Sequence, residues 1–291
     1  MSTAAEVPFF PTVRRRAPAA RLWSTRNGRL GLVVVAALVL VALAAAFEIM
    51  PYSPLAQHAA DRFTPPSGEY WLGTDQFGRD VASRIMAGVL ASLRVAALSV
   101  ALASVGGSLA GIVAGFFGGW VDRAIGRVAD VLFAFPAILL ALAILAALGR
   151  GWLNTALAIA IVYTPIFIRV ARGPVLSVRE AEYVKAGRGL GYGSGRLLFR
   201  HVLPNVAAPI IVQVALALSW AILTESSLSF LGLGTQPPEP SLGLMVSEAR
   251  TLASRAWWLL AFPSLAIIVA VIGLNLLGDG LRDALDPTRS E

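Results

Sequence analysis

Six long apolar stretches, near 30–50, 95–118, 128–148, 152–168, 206–231 and 257–277, dominate this chain. Each approaches or exceeds the roughly 17–25 mostly apolar residues that a helix needs to cross a bilayer. Composition agrees: 14% of the residues are charged and 57% hydrophobic, with mean hydropathy +0.72. A soluble chain carries about 25% charged residues, so this one has too few to cover a water-facing surface. The expected fold class is an all-α integral membrane protein with six transmembrane helices. The first stretch follows an arginine-rich tail, but its apolar run is too long for a signal peptide, and "FEIMPYSP" makes a poor cleavage site. It reads as a retained span.

Arginine placement predicts orientation, because cytoplasmic loops collect Lys and Arg. With the N-terminus inside, the tail, the 119–127 turn (Arg123, Arg127), the 169–205 loop and the C-terminal tail hold 17 of the 24 basic residues. Both termini are expected in the cytoplasm of a cell-membrane protein. The same distribution explains the net charge of +7 through topology, without nucleic acid. The expected organisation is a cytoplasmic tail (1–29), a first span (30–50) and an extracytoplasmic loop (51–92) ending in a short helix through 79–92. A core of five spans (93–279) with the cytoplasmic loop 169–205 and a tail (280–291) complete it. A third outer loop, 234–256, begins "GTQPPEPSLG", whose prolines forbid a continuous helix.

Two features inside the spans stand out. Gly107, Gly111, Gly115 and Gly119 recur every four residues, with Ser99 and Ala103 in register, so they share one helix face. Such a face lets another backbone approach closely. It admits two readings, a packing face within the bundle or a surface against a second subunit. Glu225, in "AILTESSLSFLG", is the deepest acid. It is either a structural carboxylate satisfied by Thr224, Ser226, Ser227 and Ser229 or a group on a transport pathway.

Catalysis finds no footing. The chain has no cysteine and two histidines, His58 and His201. No G-x-S-x-G, HExxH or metal-spaced cluster occurs. The glycines at 187–195 fit neither G-x-G-x-x-G nor G-x-x-x-x-G-K-[ST], and the single lysine, Lys185, follows Val184, so no phosphate-binding loop is present.

The stretch "EYVKAGRGLGYGSGRLLFRHVLPN" (182–205) interrupts the apolar pattern. Tyr183, Ala186, Gly187 and Leu190 fall on one face of a short helix, with Lys185 and Arg188 beside them and Gly191 ending it. A second helix through 194–202 is expected to stop at Pro204. The segment is either a peg for a partner's groove or a solvated basic loop.

This stretch resembles the E-A-A-x3-G-x9-I-x-L-P signature of permease subunits of ABC importers. Lys185-Ala186-Gly187 stand for E-A-A, Gly191 for the fixed glycine, and His201-Val202-Leu203-Pro204 for I-x-L-P. Lys185, Gly187 and His201 depart from it. "WLGTDQFGRD" (71–80), "SLSFLGLGTQPPEPSLGLMVSEAR" (227–250) and "LGDGLRDALDP" (277–287) are similar to the C-type permease of dipeptide and oligopeptide importers, a subfamily that includes nickel importers. The resemblance implies the type I importer permease fold and a B-type permease partner. It further implies two ATPase subunits or domains, which use the ATP and Mg while this chain binds no cofactor, and an extracytoplasmic peptide-binding protein. Glu182, Tyr183, Ala186, Gly187, Arg188, Leu190, Gly191, Leu203 and Pro204 would then couple to the ATPases. A nickel or other small-solute importer is the alternative, and a secondary transporter without ATPases is a rival from another class.

Overall fold

A computed structural model describes residues 18–285, so the tail segments 1–17 and 286–291 lie outside the described residues. The described residues form α1 (Pro18–Ser24), α2 (Arg26–Ala46), α3 (Val81–Phe117), α4 (Gly119–Phe133), α5 (Ala137–Leu148) and α6 (Trp152–Arg179). They continue with α7 (Glu182–Gly189), α8 (Ser194–Leu197), a π-helical turn (Leu198–Val202), α9 (Leu203–Phe230), α10 (Leu242–Ala249) and α11 (Trp258–Leu285). Extended pairing among them is limited to one isolated bridge between Thr74 and Asp80. Four helices, α2, α3, α6 and α11, are long and apolar enough to span a membrane, as is the continuous run Ser194–Phe230. The sixth span exists only as α4 and α5 together, bent by 94°.

That bend corrects the straight span expected at 128–148. Pro136 lacks a backbone donor and displaces the preceding residue from helical geometry, and its own ψ of 130° lies outside the helical range. The expected turn at 119–127 is instead the first part of α4. Nor is there a separate helix through 79–92: α3 runs unbroken for 37 residues, capped by the Asp80 carboxylate accepting from Ser83 N at 2.8 Å. Polarity marked where the membrane ends, and the backbone helix continues through it. Pro204 likewise fails to stop the chain. It sits in the first turn of α9, and the wider π turn before it relieves the clash its ring would make with the preceding turn.

Aromatic and charged side chains locate the bilayer. The Arg94 guanidinium lies 4.0 Å over the Trp152 ring, an arrangement suited to the membrane interface. From Arg94 to Phe117 is about 35 Å of helix, and from Trp258 to Asp279 about 32 Å, close to the hydrocarbon thickness of about 30 Å. Residues 81–93 therefore protrude, together with the 51–80 segment and α10.

The core sits where α3, α6 and α9 meet, around Val95, Ala96, Ile159, Phe167 and Ile222. Without a hydrophobic drive between helices in lipid, close packing must hold them. Gly107, Gly111 and Gly115 serve that purpose by facing α6. A Cβ on Gly107 would stand 2.5 Å from Thr164 O, one on Gly115 would stand 2.9 Å from Val175 Cβ, and one on Gly111 would overlap Ile168 O. Ser99 and Ala103 extend this buried face. The stripe thus packs within the chain. Gly119 does not belong to it: it begins α4 at φ +60°, with nothing within 4 Å of its missing side chain. A second glycine seam, unforeseen in the sequence, joins α2 to α11, where Gly31 abuts the backbone of Leu277 and Gly28 abuts Gly280.

Candidate functional site

The 182–205 stretch forms a compact lobe beneath the ends of α3, α6 and α9. Helix α7 ends in two backbone bonds, Tyr192 N to Gly187 O and Gly191 N to Arg188 O, both 3.0 Å. This pairing requires a left-handed residue after the helix, and Gly191 supplies it at φ +77°. The turn folds α8 back against α7. Val184, Leu197, Val202 and Val206 then pack with Ile112, Phe116, Ala171 and Val175.

This packing divides the expected coupling residues. Tyr183, Ala186 and Leu190 lie exposed on one face, Leu190 at 74%, with Glu182 and Arg188 also exposed. Gly187 is not on that face. It points inward, where a Cβ would meet Leu197 Cδ2 at 3.0 Å and Tyr192 Cδ2 at 3.2 Å, so its smallness serves the lobe's own packing. Leu203 and Pro204 remain exposed at the base of α9. Phe199, 73% exposed, adds an aromatic knob that the sequence reading passed over.

Charges brace the helix ends around the lobe as well as the lobe itself. Arg179 donates to Gly115 O at 2.8 Å, and the Arg188 guanidinium lies 5.2 Å from the Phe116 ring centre. Arg172 grips Asp122 of α4 with two bonds of 2.5 and 2.7 Å. Lys185 pairs with Glu180 at 3.1 Å and holds its carboxyl below the usual carboxylate range. Both groups are exposed, so the pair adds little stability.

At the opposite end the stretches 71–80 and 227–250 meet in a buried ionic knot. Asp75 bonds Arg79 at 2.6 Å and lies 3.6 Å from Arg84, while Glu248 of α10 stands 3.8 and 3.7 Å from the same two arginines. Arg84 is 2% exposed, and Trp258 Nε1 donates to Thr74 O nearby. Buried charges persist only when paired, and here the pairs pin the 51–80 segment onto α10. Both sequence stretches signalled the family, but nothing in either signalled that they touch.

Glu225 is fully buried between α9 and α3. It accepts from Ser92 at 2.6 Å and from Ser229 at 2.7 Å. The local serine expectation holds for Ser229. Thr224 instead meets Tyr163 OH at 2.8 Å, and Ser227 donates to Leu223 O. Ser92, 133 residues away in sequence, was not foreseen; a lone serine in a small-residue helix carries no signal. Among the described residues no cluster of His, Asp and Glu is arranged to hold a metal.

A groove of about 410 Å³ runs along α9 between α5 and α6, lined in part by Tyr163, Gln213, Ala217, Trp220, Thr224 and Ser227. Ala137, Ile138, Ile166 and Leu223 complete a largely apolar lining, into which Gln213, Thr224, Ser227 and the two aromatic residues bring polar groups.

Comparison with known proteins accords with this architecture. Residues 107–291 match the family described as binding-protein-dependent transport system inner membrane component. A dipeptide transport system permease protein of Alkalihalophilus pseudofirmus is 45% identical over 258 residues, covering 88% of this chain and 84% of the relative. A glutathione transport system permease protein of Pectobacterium atrosepticum is 45% identical over 253 residues, 86% and 84% of the two chains. A di/tripeptide transport system permease protein of Pseudomonas aeruginosa is 41% identical over 286 residues, 95% and 94%. With a multi-pass helical bundle, a family match over more than half its length and relatives of this similarity, the chain belongs to the binding-protein-dependent transport system inner membrane component family.

Proposed function

We propose that this chain is the transmembrane permease subunit of an ATP-driven importer of dipeptides or short oligopeptides, forming half of the translocation pathway. A B-type permease supplies the other half, an extracytoplasmic binding protein delivers the peptide, and two ATPase subunits or domains supply the energy. The chain has no phosphate-binding loop, so ATP and Mg belong to those partners. Both termini and the 182–205 lobe face the cytoplasm, which the arginine distribution supports. The peptide and glutathione transport named for the relatives supports peptide over nickel as cargo.

One observation carries the coupling role. The exposed Tyr183, Leu190 and Phe199 project from a lobe whose inner face is locked into the ends of α3, α6 and α9. A push on the lobe therefore reaches the spans directly. Leu190→Asp keeps the inner packing and places a charge on the outer face. ATPase co-purification and peptide uptake should both fall, with membrane insertion intact. Normal co-purification and uptake would refute the coupling role. Uptake of labelled di-, tri- and tetrapeptides, with nickel alongside, in cells lacking the chain tests the cargo; loss of nickel uptake alone would replace peptide with metal.

A further inference from the structure

The exposed faces of the spans differ in chemistry. On α11 the outward residues Leu265, Ile268, Val269 and Ile272 are all aliphatic, and on α3 Leu102, Val105, Leu109 and Val113 are too. Lipid requires this, since hydrocarbon offers no partner to a polar group. Helix α9 breaks the pattern. Beside exposed Ile211 and Leu223, it carries Gln213, Ala217, Trp220, Thr224 and Ser227, of which Trp220 is exposed, Ala217 buried and the rest half-buried. Their spacing of four, three, four and three keeps them on one face over about 21 Å of helix. Trp220 is 61% exposed. The half-buried Gln213 amide has no hydrogen-bond partner among the described residues. An amide left unpaired against hydrocarbon is costly, so this face needs a polar occupant.

No charged residue lines the groove. Glu225, next to Thr224 in sequence, points away into α3 and is consumed by two serines. The volume of about 410 Å³ falls within the range of small-molecule sites, about 300–1,000 Å³. We infer that this groove is a charge-free subsite for the main chain of a short peptide in transit, read by the Gln213 amide and the Thr224–Tyr163 hydroxyl pair. A primary amide offers a donor and an acceptor, matching the N–H and C=O of a peptide unit. The exposed Trp220 indole gives apolar side chains a surface without selecting among them. Since nothing in the groove pairs with charge, passage depends on the backbone common to all peptides. The inference rests on the reading of this chain as half of a peptide pathway.

The test uses the complete importer in proteoliposomes with three dipeptides, one neutral, one lysine-containing and one glutamate-containing. Gln213→Leu removes the amide, and uptake of all three should fall alike, by about fivefold for one neutral hydrogen bond. Gln213→Glu adds charge to the groove and should raise the lysine-to-glutamate uptake ratio by about fivefold over wild type. Unchanged uptake with Gln213→Leu, or an unchanged ratio with Gln213→Glu, overturns the inference. A labelling measurement guards against poor assembly. Trp220→Cys in this cysteine-free chain should react with a water-soluble thiol reagent and be protected by dipeptide, whereas Ile268→Cys should not react. Equal resistance at both positions would make the groove lipid-facing, and reaction without protection would make it a wet interface; either overturns the subsite. If the wild-type complex imports no peptide at all, the proposed function fails and this inference falls with it.

Discussion

Adding one methyl group at either of two glycines on α3 should have opposite effects, and the contrast tests how the bundle is held together. At Gly111 a new Cβ would overlap the Ile168 carbonyl oxygen and stand 3.1 Å from Ala171 Cβ. The carbonyl belongs to the backbone of α6 and cannot rotate aside, so α3 and α6 must separate. Overpacking of this kind typically costs about 1–3 kcal/mol. At Gly106 a Cβ meets nothing within 4 Å, and alanine there gains about 0.5–1 kcal/mol from reduced chain entropy. The two variants should therefore differ by about 1.5–4 kcal/mol in stability. At about 2–4 °C per kcal/mol, Gly111→Ala should unfold several degrees below Gly106→Ala in detergent, followed by intrinsic tryptophan fluorescence. Equal midpoints would show that α3 and α6 have slack at this crossing, and the glycine argument would fail.

Three further outcomes are expected. Glu225→Gln keeps an acceptor for one serine and offers a donor that the other hydroxyl can accept, so complex yield and peptide uptake should stay within about twofold, one hydrogen bond being worth about 1 kcal/mol; full yield with lost uptake would instead assign Glu225 to the pathway. Arg84→Ala leaves Asp75 and Glu248 short of a buried partner and should cost about 3–5 kcal/mol, with the 51–80 segment becoming sensitive to protease; unaltered resistance would show that the knot holds nothing. Gly187→Trp should wedge α7 from α8 and speed hydrogen exchange over 192–202, whereas Leu190→Asp should leave that exchange unchanged, and identical behaviour would place both residues on one face after all.

The spans were legible because hydropathy reports solvent directly, and lipid tolerates little else. The glycine period of α3 was legible as a face because residues four apart share one side of a helix, although the sequence does not say that α6 covers it. Backbone continuity and long-range pairing leave no such mark in the sequence. The α4–α5 bend hides inside an apolar run, since the membrane accepts both halves equally. Residues 81–93 lie beyond the expected span and read as a separate short helix, yet they continue α3 without a break. Within the α7 lobe, the sequence put Gly187 and Tyr183 on one face, but α8 folding back through Gly191 claims Gly187 for the interior. Ser92 with Glu225, and Asp75 with Glu248, are partners that no spacing rule connects.

Helix α3 has a mechanical consequence. At 37 residues it extends for about 56 Å, and no proline or other break interrupts it. One end is fastened to the ionic knot through Arg84, and the other carries the Arg179 and Arg188 contacts at Gly115 and Phe116. A rod without a break turns as one body. Pivoting about one clamp, a tilt of about five degrees swings the far end by about 5 Å over this length. A tilt imposed at the arginine-rich end is thus delivered to the far rim as a swing of the whole rod, with no relay of side chains required.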